Sequence, residues 1–535
     1  MTRQRSDAGL NPRRPGETSP GGELSAFELE DHIQRVRGDW KNVGLAIAVV
    51  KGNEIVYAGG FGARQYGESS KVDCNTLFQV GSTTKAFTTA ALAMLVEEGI
   101  CRWDDPVVRY LPDFRLSDPW LTESLTLRDL VAHRGGIRDS LPAFLGVMNA
   151  EDSIRQLRYL KPEARFRDSF CYSNLMYAVA GRVLEITTNT SWARFVREKL
   201  LLPLKMTRSL TSPLECWNSE HVTASFFGSA RSERSSIYDA RDPNVAMPHG
   251  WDMQGSTVVL PWQSYDNAAA AGSLVSSVSD MANWLILNVS EGRFGGRRLL
   301  SPGMMRTLHA PQNLHSINQF PYEAETESYS MGWFRSEYAG NVQLEHGGGI
   351  IGFPAYMAVL PVQKIAIVIL SNGSQEAREK LTLPFRLGLH KSIAFWVFDR
   401  LLNRSPCDWN REFLTRAKNE ERELQQQEER FRAAQLPGSP SLPLEKFVGG
   451  YQDRRDNSLR VDVRVDSDGA LSLKFLGSGA YDAKLECWHH DLFRIRSKAG
   501  IADVFGLRFV TFKIDPMGRV ESLTLFDTTL QRVHD

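Results

Sequence analysis

Cysteine is sparse: six residues, at 74, 101, 171, 216, 407 and 487, are scattered over 535 with no Cys-x-x-Cys pair. That spacing argues against a disulfide framework or a zinc site and suits a reducing compartment. No run reaches the ~18 apolar residues of a membrane span, so no transmembrane helix is predicted. The opening stretch, MTRQRSDAGLNPRRPGETSPGGE, lacks an apolar h-region. No secretory signal is read there, and the expected location is the cytoplasm. Neither charge is in excess, with Lys+Arg and Asp+Glu both at 63, so nothing selects nucleic acid or an acidic membrane surface. A G-x-S-x-G elbow, a Walker loop and an HExxH helix are all missing. Their absence disfavours an α/β-hydrolase triad and gives no support to a nucleotide or zincin site.

The length predicts two or three domains, and 42% hydrophobic with 24% charged residues is ordinary for a globular chain. Residues 1–22, rich in Arg, Pro, Gly and Ser, read as disordered. A helix at about 26–37 precedes VGLAIAVV (43–50), the turn Lys51-Gly52-Asn53 and EIVYAGGFG (54–62), which read as a hairpin of buried strands. Residues 205–265 are irregular and read as an insert. An amphipathic helix is expected over about 384–402. Residues 410–435 are highly charged, with Ala417, Leu424 and Phe431 seven apart. They read as a solvated linker helix, with a short coiled-coil contact as the alternative. From Phe447 the pattern changes to short alternating strands, which predict a small antiparallel barrel of about 90 residues.

The reactive stretch is LFQVGSTTKAFTTAALAMLVEEG (77–99). Phe87, Ala90, Ala91, Met94 and Leu95 recur at helical spacing and Gly99 is a stop signal, which places Ser82 at or just before a helix N-terminus. Lys85 then lies one turn on, along the same face. A serine hydroxyl is a weak nucleophile until a base takes its proton. A lysine whose pKa is lowered by burial can be that base. The helix N-terminus adds N–H groups and a positive dipole end to steady an oxyanion. Ser-x-x-Lys alone is a weak signal, since a chain this long holds about one by chance. A capping serine beside a solvated lysine is the plain alternative.

Two further stretches supply context. FCYSNLMYAVAG (170–181) carries Tyr172-Ser173-Asn174, and LEHGGGIIGFPAYMAVLPVQKIAIVILSN (344–372) carries His346-Gly347-Gly348-Gly349 ahead of two predicted strands. Gly347, Gly349 and Gly352 also satisfy G-x-G-x-x-G, but the loop is followed by strand signals, which rules against a dinucleotide site. With NTLFQVGSTTKAFTTAALAMLVEEGICRWDDPVVRYL (75–111), these stretches resemble the serine β-lactamase and penicillin-binding-protein superfamily, in its class C and D-aminopeptidase-like branch.

That resemblance implies an α/β (α+β) fold: a β-lactamase/transpeptidase-like central antiparallel sheet flanked by helices, plus the small C-terminal antiparallel β-barrel. It implies that Tyr172 joins Lys85 as general base and that Asn174 meets both Lys85 and the substrate. His346-Gly347-Gly348 stand where β-lactamases carry Lys-Thr-Gly and are expected to bind substrate. The N–H groups of Ser82 and Gly349 are the implied oxyanion hole. His346 is a departure, because a lysine there is a fixed cation for a drug's carboxylate and a histidine is mostly neutral near pH 7. Weak β-lactam turnover follows, with His346 left as a substrate or proton-network contact. Arg134 stands where a small hydroxyl residue is common, and His133 reads as a hydrogen-bonded spacer. SMGWF (330–334) resembles a short family strand. The C-terminal region, through FVGGY (447–451) and WHHDLF (488–493), resembles a lipocalin-like domain, and His489 and His490 lack a spaced partner for a metal.

The expected segments are a disordered 1–22, a serine hydrolase domain at 23–405, a charged helical linker at 406–444 and a lipocalin-like barrel at 445–535. The expected activity is cleavage of an amide or ester in a small-molecule or peptide substrate through a Ser82 acyl-enzyme. No cofactor, metal, nucleic acid or membrane is called for. The barrel or linker helix offers an oligomer contact. The alternatives are acyl transfer to a small-molecule acceptor and, third, a non-catalytic binding protein.

Overall fold

A computed structural model describes residues 24–533 apart from 140–142, 144–147, 218–221, 224–239, 252–255, 316–326, 374–386, 406, 456–458, 477–480, 497–508 and 526–527. The segment read as disordered, 1–22, lies outside the described residues.

An eight-stranded antiparallel sheet forms the centre. Its order is Asn313–His315, Glu327–Tyr329, Phe334–Tyr338, Asn341–Ile350, Phe353–Leu360, Ile365–Ser371, Gly44–Lys51 and Glu54–Gly62. The strands GLAIAVVK and IAIVILS are apolar nearly throughout because both sheet faces are covered. Ala46, Ala48 and Val50 join Ala366, Val368 and Leu370 in a core shared with Phe87 and Trp284. The alternate residues Leu45, Ile47 and Val49 join Ile365, Ile367 and Ile369 against the helices Ala26–Asp39 and Gly388–Leu401. Glu54–Gly62 departs from the expected burial: it is the sheet's edge, and Glu54, Ile55 and Val56 are exposed.

Two other expectations are corrected. His346–Gly349 lies inside the strand Asn341–Ile350, not in a loop ahead of the strands. Glycines weaken a strand and mark places where another backbone comes close; a Cβ on Gly348 would lie 2.0 Å from the Val80 carbonyl oxygen. Of SMGWF only Phe334 is strand, as the first residue of Phe334–Tyr338; Ser330–Trp333 form the turn that joins it to Glu327–Tyr329. Gly332 there has φ +83°, and a Cβ on it would lie 2.9 Å from Ala86 Cα, so the turn seats on the reactive helix.

The charged helix Trp409–Ala433 runs from the sheet to a closed eight-stranded barrel. Trp409 Nε1 donates to Asp399 at 2.7 Å near its start. At its end Phe431 packs on Trp488 and Phe509, each 5.4 Å away between ring centroids. Leu424, the middle residue of the seven-residue spacing, has its side chain outside the described residues. The barrel closes where Gly449–Gln452 pairs with Thr528–Val533. Tyr451, Val461, Leu473, Phe475, Phe493 and Phe512 are buried in it, as expected of a barrel narrow enough for side chains to fill. Among the described residues, no helix is long and apolar enough to cross a membrane.

Glu428 ties the helix to the barrel by pairing with Arg494 at 2.7 Å, and the Arg494 side chain is 3% exposed. Glu428→Ala takes the carboxylate from a buried guanidinium and is expected to cost about 3 kcal/mol. Chemical denaturation followed by tryptophan fluorescence reads this, and an unchanged midpoint would show that the pair contributes nothing.

Candidate active site

Ser82 sits in a single 3-10 turn, Gly81–Thr83, that feeds the helix Thr84–Glu97. The Thr83 and Thr84 hydroxyls donate to the Val80 and Gly81 carbonyls, at 3.0 and 2.7 Å, and brace the turn. Gly81 has φ +52°, and a Cβ on it would lie 2.6 Å from the Gly349 nitrogen. Glycine is therefore needed for the Ser82 turn to lie against the glycine strand. Among the described residues no side chain caps the turn or the helix and no acidic residue stands in the first turn, so the positive dipole end is not neutralised from within.

Lys85 is fully buried, because its helix is apolar on nearly every side and runs through the core. Its Nζ lies 3.2 Å from Ser82 Oγ, 2.6 Å from Asn174 Oδ1 and 3.0 Å from the Ala271 carbonyl oxygen. Desolvation pulls its pKa down from 10.5 to about 7, with the charge of Asp139 opposing.

Tyr172 and Asn174 arrive together where the chain enters the helix Asn174–Thr188, whose N-cap is Ser173. The Tyr172 ring centroid is 4.8 Å from Lys85 Nζ. Burial holds its phenol well above the ordinary tyrosine range, against a hydrogen bond with the Ser82 side chain. Asn174 donates from Nδ2 to Asp139 at 2.7 Å while its Oδ1 meets Lys85.

The glycine strand completes the site. On the Phe334–Tyr338 side its pairing ends at Glu345, so among the described residues 346–350 have a strand partner on one edge only. His346 is 1% exposed. Its Nδ1 lies 2.7 Å from the Gly347 carbonyl oxygen, which can only accept, so Nδ1 carries the proton and Nε2 accepts from the Tyr329 hydroxyl at 3.2 Å. Desolvation and the nearby Lys85 lower its pKa to about 3, so the ring is neutral. The ring is thereby tied by hydrogen bonds to Gly347 and Tyr329.

The loops that carry these groups are held by a buried carboxylate. Asp129 receives Arg167 at 2.8 Å and Arg134 at 3.4 Å, which accounts for Arg134 in a place where a small residue is common. His133 has φ +55°, and its Nδ1 accepts from the Ser173 N–H at 3.1 Å, as a spacer does. Gly136, φ +71°, lets its loop meet Ala164, whose oxygen would lie 2.3 Å from a Cβ. Among the described residues, no group of His, Cys, Asp or Glu side chains could hold a metal.

Sequence reading missed Asp139, Tyr329, Tyr177 and the Ala271 carbonyl. Asp139 stands 35 residues before Asn174, with no spacing signal. A carbonyl has no sequence signal at all.

A family model described as Beta-lactamase matches residues 29–390, and one described as Domain of unknown function (DUF3471) matches 433–534. The chain is 26% identical over 489 residues to "Unguisins hydrolase ungD'" of Aspergillus campestris, across 86% of this chain and 84% of that protein. It is 29% identical over 367 residues to "Unguisins hydrolase ungD" of Aspergillus violaceofuscus, across 65% of this chain and 61% of that one. The octameric penicillin-binding protein homologue from Pyrococcus abyssi shares the fold, with TM-score 0.57 and 23% identity across 95% of this chain and 100% of that one. Because the first of these matches spans well over half of the residues and encloses Ser82, Lys85, Tyr172, Asn174 and the glycine strand, the chain belongs to the beta-lactamase family of serine hydrolases.

Proposed function

We propose that the protein hydrolyses an amide or ester by way of an acyl-enzyme on Ser82. The hydrogen bonds of Lys85 carry the reading. Asn174 Oδ1 and the Ala271 carbonyl can only accept, so they hold two N–H bonds of the amine. In the neutral amine the lone pair is what remains for Ser82 Oγ. A pKa near 7 gives a large share of that form at neutral pH.

Ser82 Oγ attacks the carbonyl carbon as Lys85 takes its proton. The carbonyl electron pair moves to oxygen, where the N–H groups of Ser82 and Gly349 meet it. Collapse expels the amine or alcohol, which receives the proton from Lys85 through Tyr172. Tyr172 keeps its proton at rest, so it relays, accepting one proton as it gives its own. Water then attacks the acyl carbon, its proton returns along the same path, and Ser82 leaves with a hydrogen restored. The second Nδ2–H of Asn174 is offered to the substrate carbonyl. Two fungal relatives carry the name unguisins hydrolase, which supports water as the acceptor over a second small molecule.

Intact-mass labelling with a fluorophosphonate tests the nucleophile. One adduct per chain is expected, absent in Ser82→Ala. Lys85→Met is expected to slow labelling by about 10²–10⁴-fold. Failure of the folded wild type to take any label overturns the reading.

The pH profile has a defined sign. The active form is the deprotonated amine, so labelling is expected to rise with pH through about 7 and level off above it. A rate flat from pH 5 to 9, a range about two units either side of that midpoint, would show that Lys85 is not the base.

Because His346 is neutral, a carboxylate on the substrate loses a charge-assisted bond worth about 10–100-fold at that point. Benzylpenicillin is therefore expected to be turned over slowly beside p-nitrophenyl esters, and His346→Lys to improve its acylation.

A further inference from the structure

We infer that Asp139 is a positioning residue for the Ser82 reaction, its carboxylate fixing which end of the Asn174 amide faces Lys85. This rests on the Ser82 reading above.

The two ends of an amide are nearly equal in size and exchange by a simple rotation. If Asn174 turned over, Nδ2–H would point at Lys85. It would repel the N–H bonds of an ammonium. Worse, it would donate to the lone pair of the neutral amine and draw that lone pair away from Ser82 Oγ. Asp139 forbids this. An ionised carboxylate only accepts, and Oδ2 lies 2.7 Å from Asn174 Nδ2, so only the present orientation satisfies both groups. The other oxygen accepts from Ser173 Oγ and from the Leu175 N–H, each at 2.8 Å. The carboxylate is thereby pinned to the start of the helix Asn174–Thr188, where the dipole favours an anion. Asp139, Asn174, Lys85 and Ser82 then form a chain of hydrogen bonds that runs in one direction.

The charge of Asp139 also acts on Lys85. Facing that amine are Asp139, the phenols of Tyr172 and Tyr177, the neutral ring of His346 and Ser82 itself. Asp139 raises the Lys85 pKa against the burial that lowers it. Its removal therefore moves the titration to lower pH while it releases the amide.

The test is the rate of Ser82 phosphonylation against pH in the full chain, for wild type, Asp139→Asn, Asp139→Glu and Glu428→Ala, each corrected for its folded fraction. Asp139→Asn is expected to lower the plateau by about tenfold or more and to shift the midpoint down. Asp139→Glu keeps the charge and is expected to hold the midpoint near wild type with an intermediate plateau. Glu428→Ala breaks the linker–barrel ion pair without touching Asp139 or the amide, and is expected to lower the melting temperature and leave the midpoint in place. Asp139→Asn with the wild-type plateau and midpoint would overturn the inference. So would losses in Asp139→Asn that merely track stability, as in Glu428→Ala. Should Asp139→Asn not fold, Asp139→Glu decides alone, and a plateau equal to wild type overturns the role. A wild type unlabelled at Ser82 removes the acyl-enzyme reading and this one together, whereas a labelled wild type beside an unaltered Asp139→Asn removes only this one.

Discussion

The removal of one amine from water is the constraint on which this structure depends. Lys85 has no exposed surface, and an ammonium in that position would cost several kcal/mol unless it were paired. The fold answers with three oxygens, from Ser82, Asn174 and Ala271, each brought by a different part of the chain. Desolvation still wins over the opposing charge of Asp139, which is why the pKa falls to about 7 and not further. The same balance makes the group useful: a lysine fully paired with a carboxylate would stay charged, and one without partners would destabilise the helix that holds it.

The rest of the site consists of devices that bring three backbones within reach of that amine. The reactive helix is apolar on nearly every side, so it can be surrounded. The glycine strand lies against it because neither Gly81 nor Gly348 has a side chain to hold the two apart. The loops bearing Asp139 and Tyr172 meet at Gly136 and Ala164 and are clamped by Asp129, whose buried charge is answered by Arg167 and Arg134. The positive φ of His133, uncommon for a residue other than glycine, is tolerated where this clamp over-determines the backbone.

What was legible in the sequence is what short range determines. Ser82 and Lys85 are three residues apart on one helix, and their meeting follows from helical geometry alone. The unbroken apolar runs of the central strands and the alternating pattern of the barrel were equally plain. Glycine was read with its usual meaning, as loop, and that reading failed at His346–Gly349, where close approach of another backbone and not a turn selects it. Ser330–Phe334 resembles a short family strand, but Gly332 with positive φ makes Ser330–Trp333 a turn and leaves only Phe334 in a strand. Asp139 was invisible because its partners lie 34–36 residues away, across a loop with no periodicity. Likeness to a family supplied the pairing of Ser82 with Tyr172 and Asn174; spacing could not.

The neutral histidine narrows what the site can select. His346 spends Nδ1 on the Gly347 carbonyl and Nε2 on Tyr329, and Tyr177 beneath them donates to the Val131 carbonyl at 2.7 Å. Every proton in this set has a place, so the ring cannot turn outward without leaving buried polar atoms unsatisfied. His346 therefore serves the strand edge by keeping it rigid, and offers no charge to a ligand. Under the acyl-enzyme reaction proposed above, a donor reaching Ser82 along that edge would meet glycine backbone and no charge from His346.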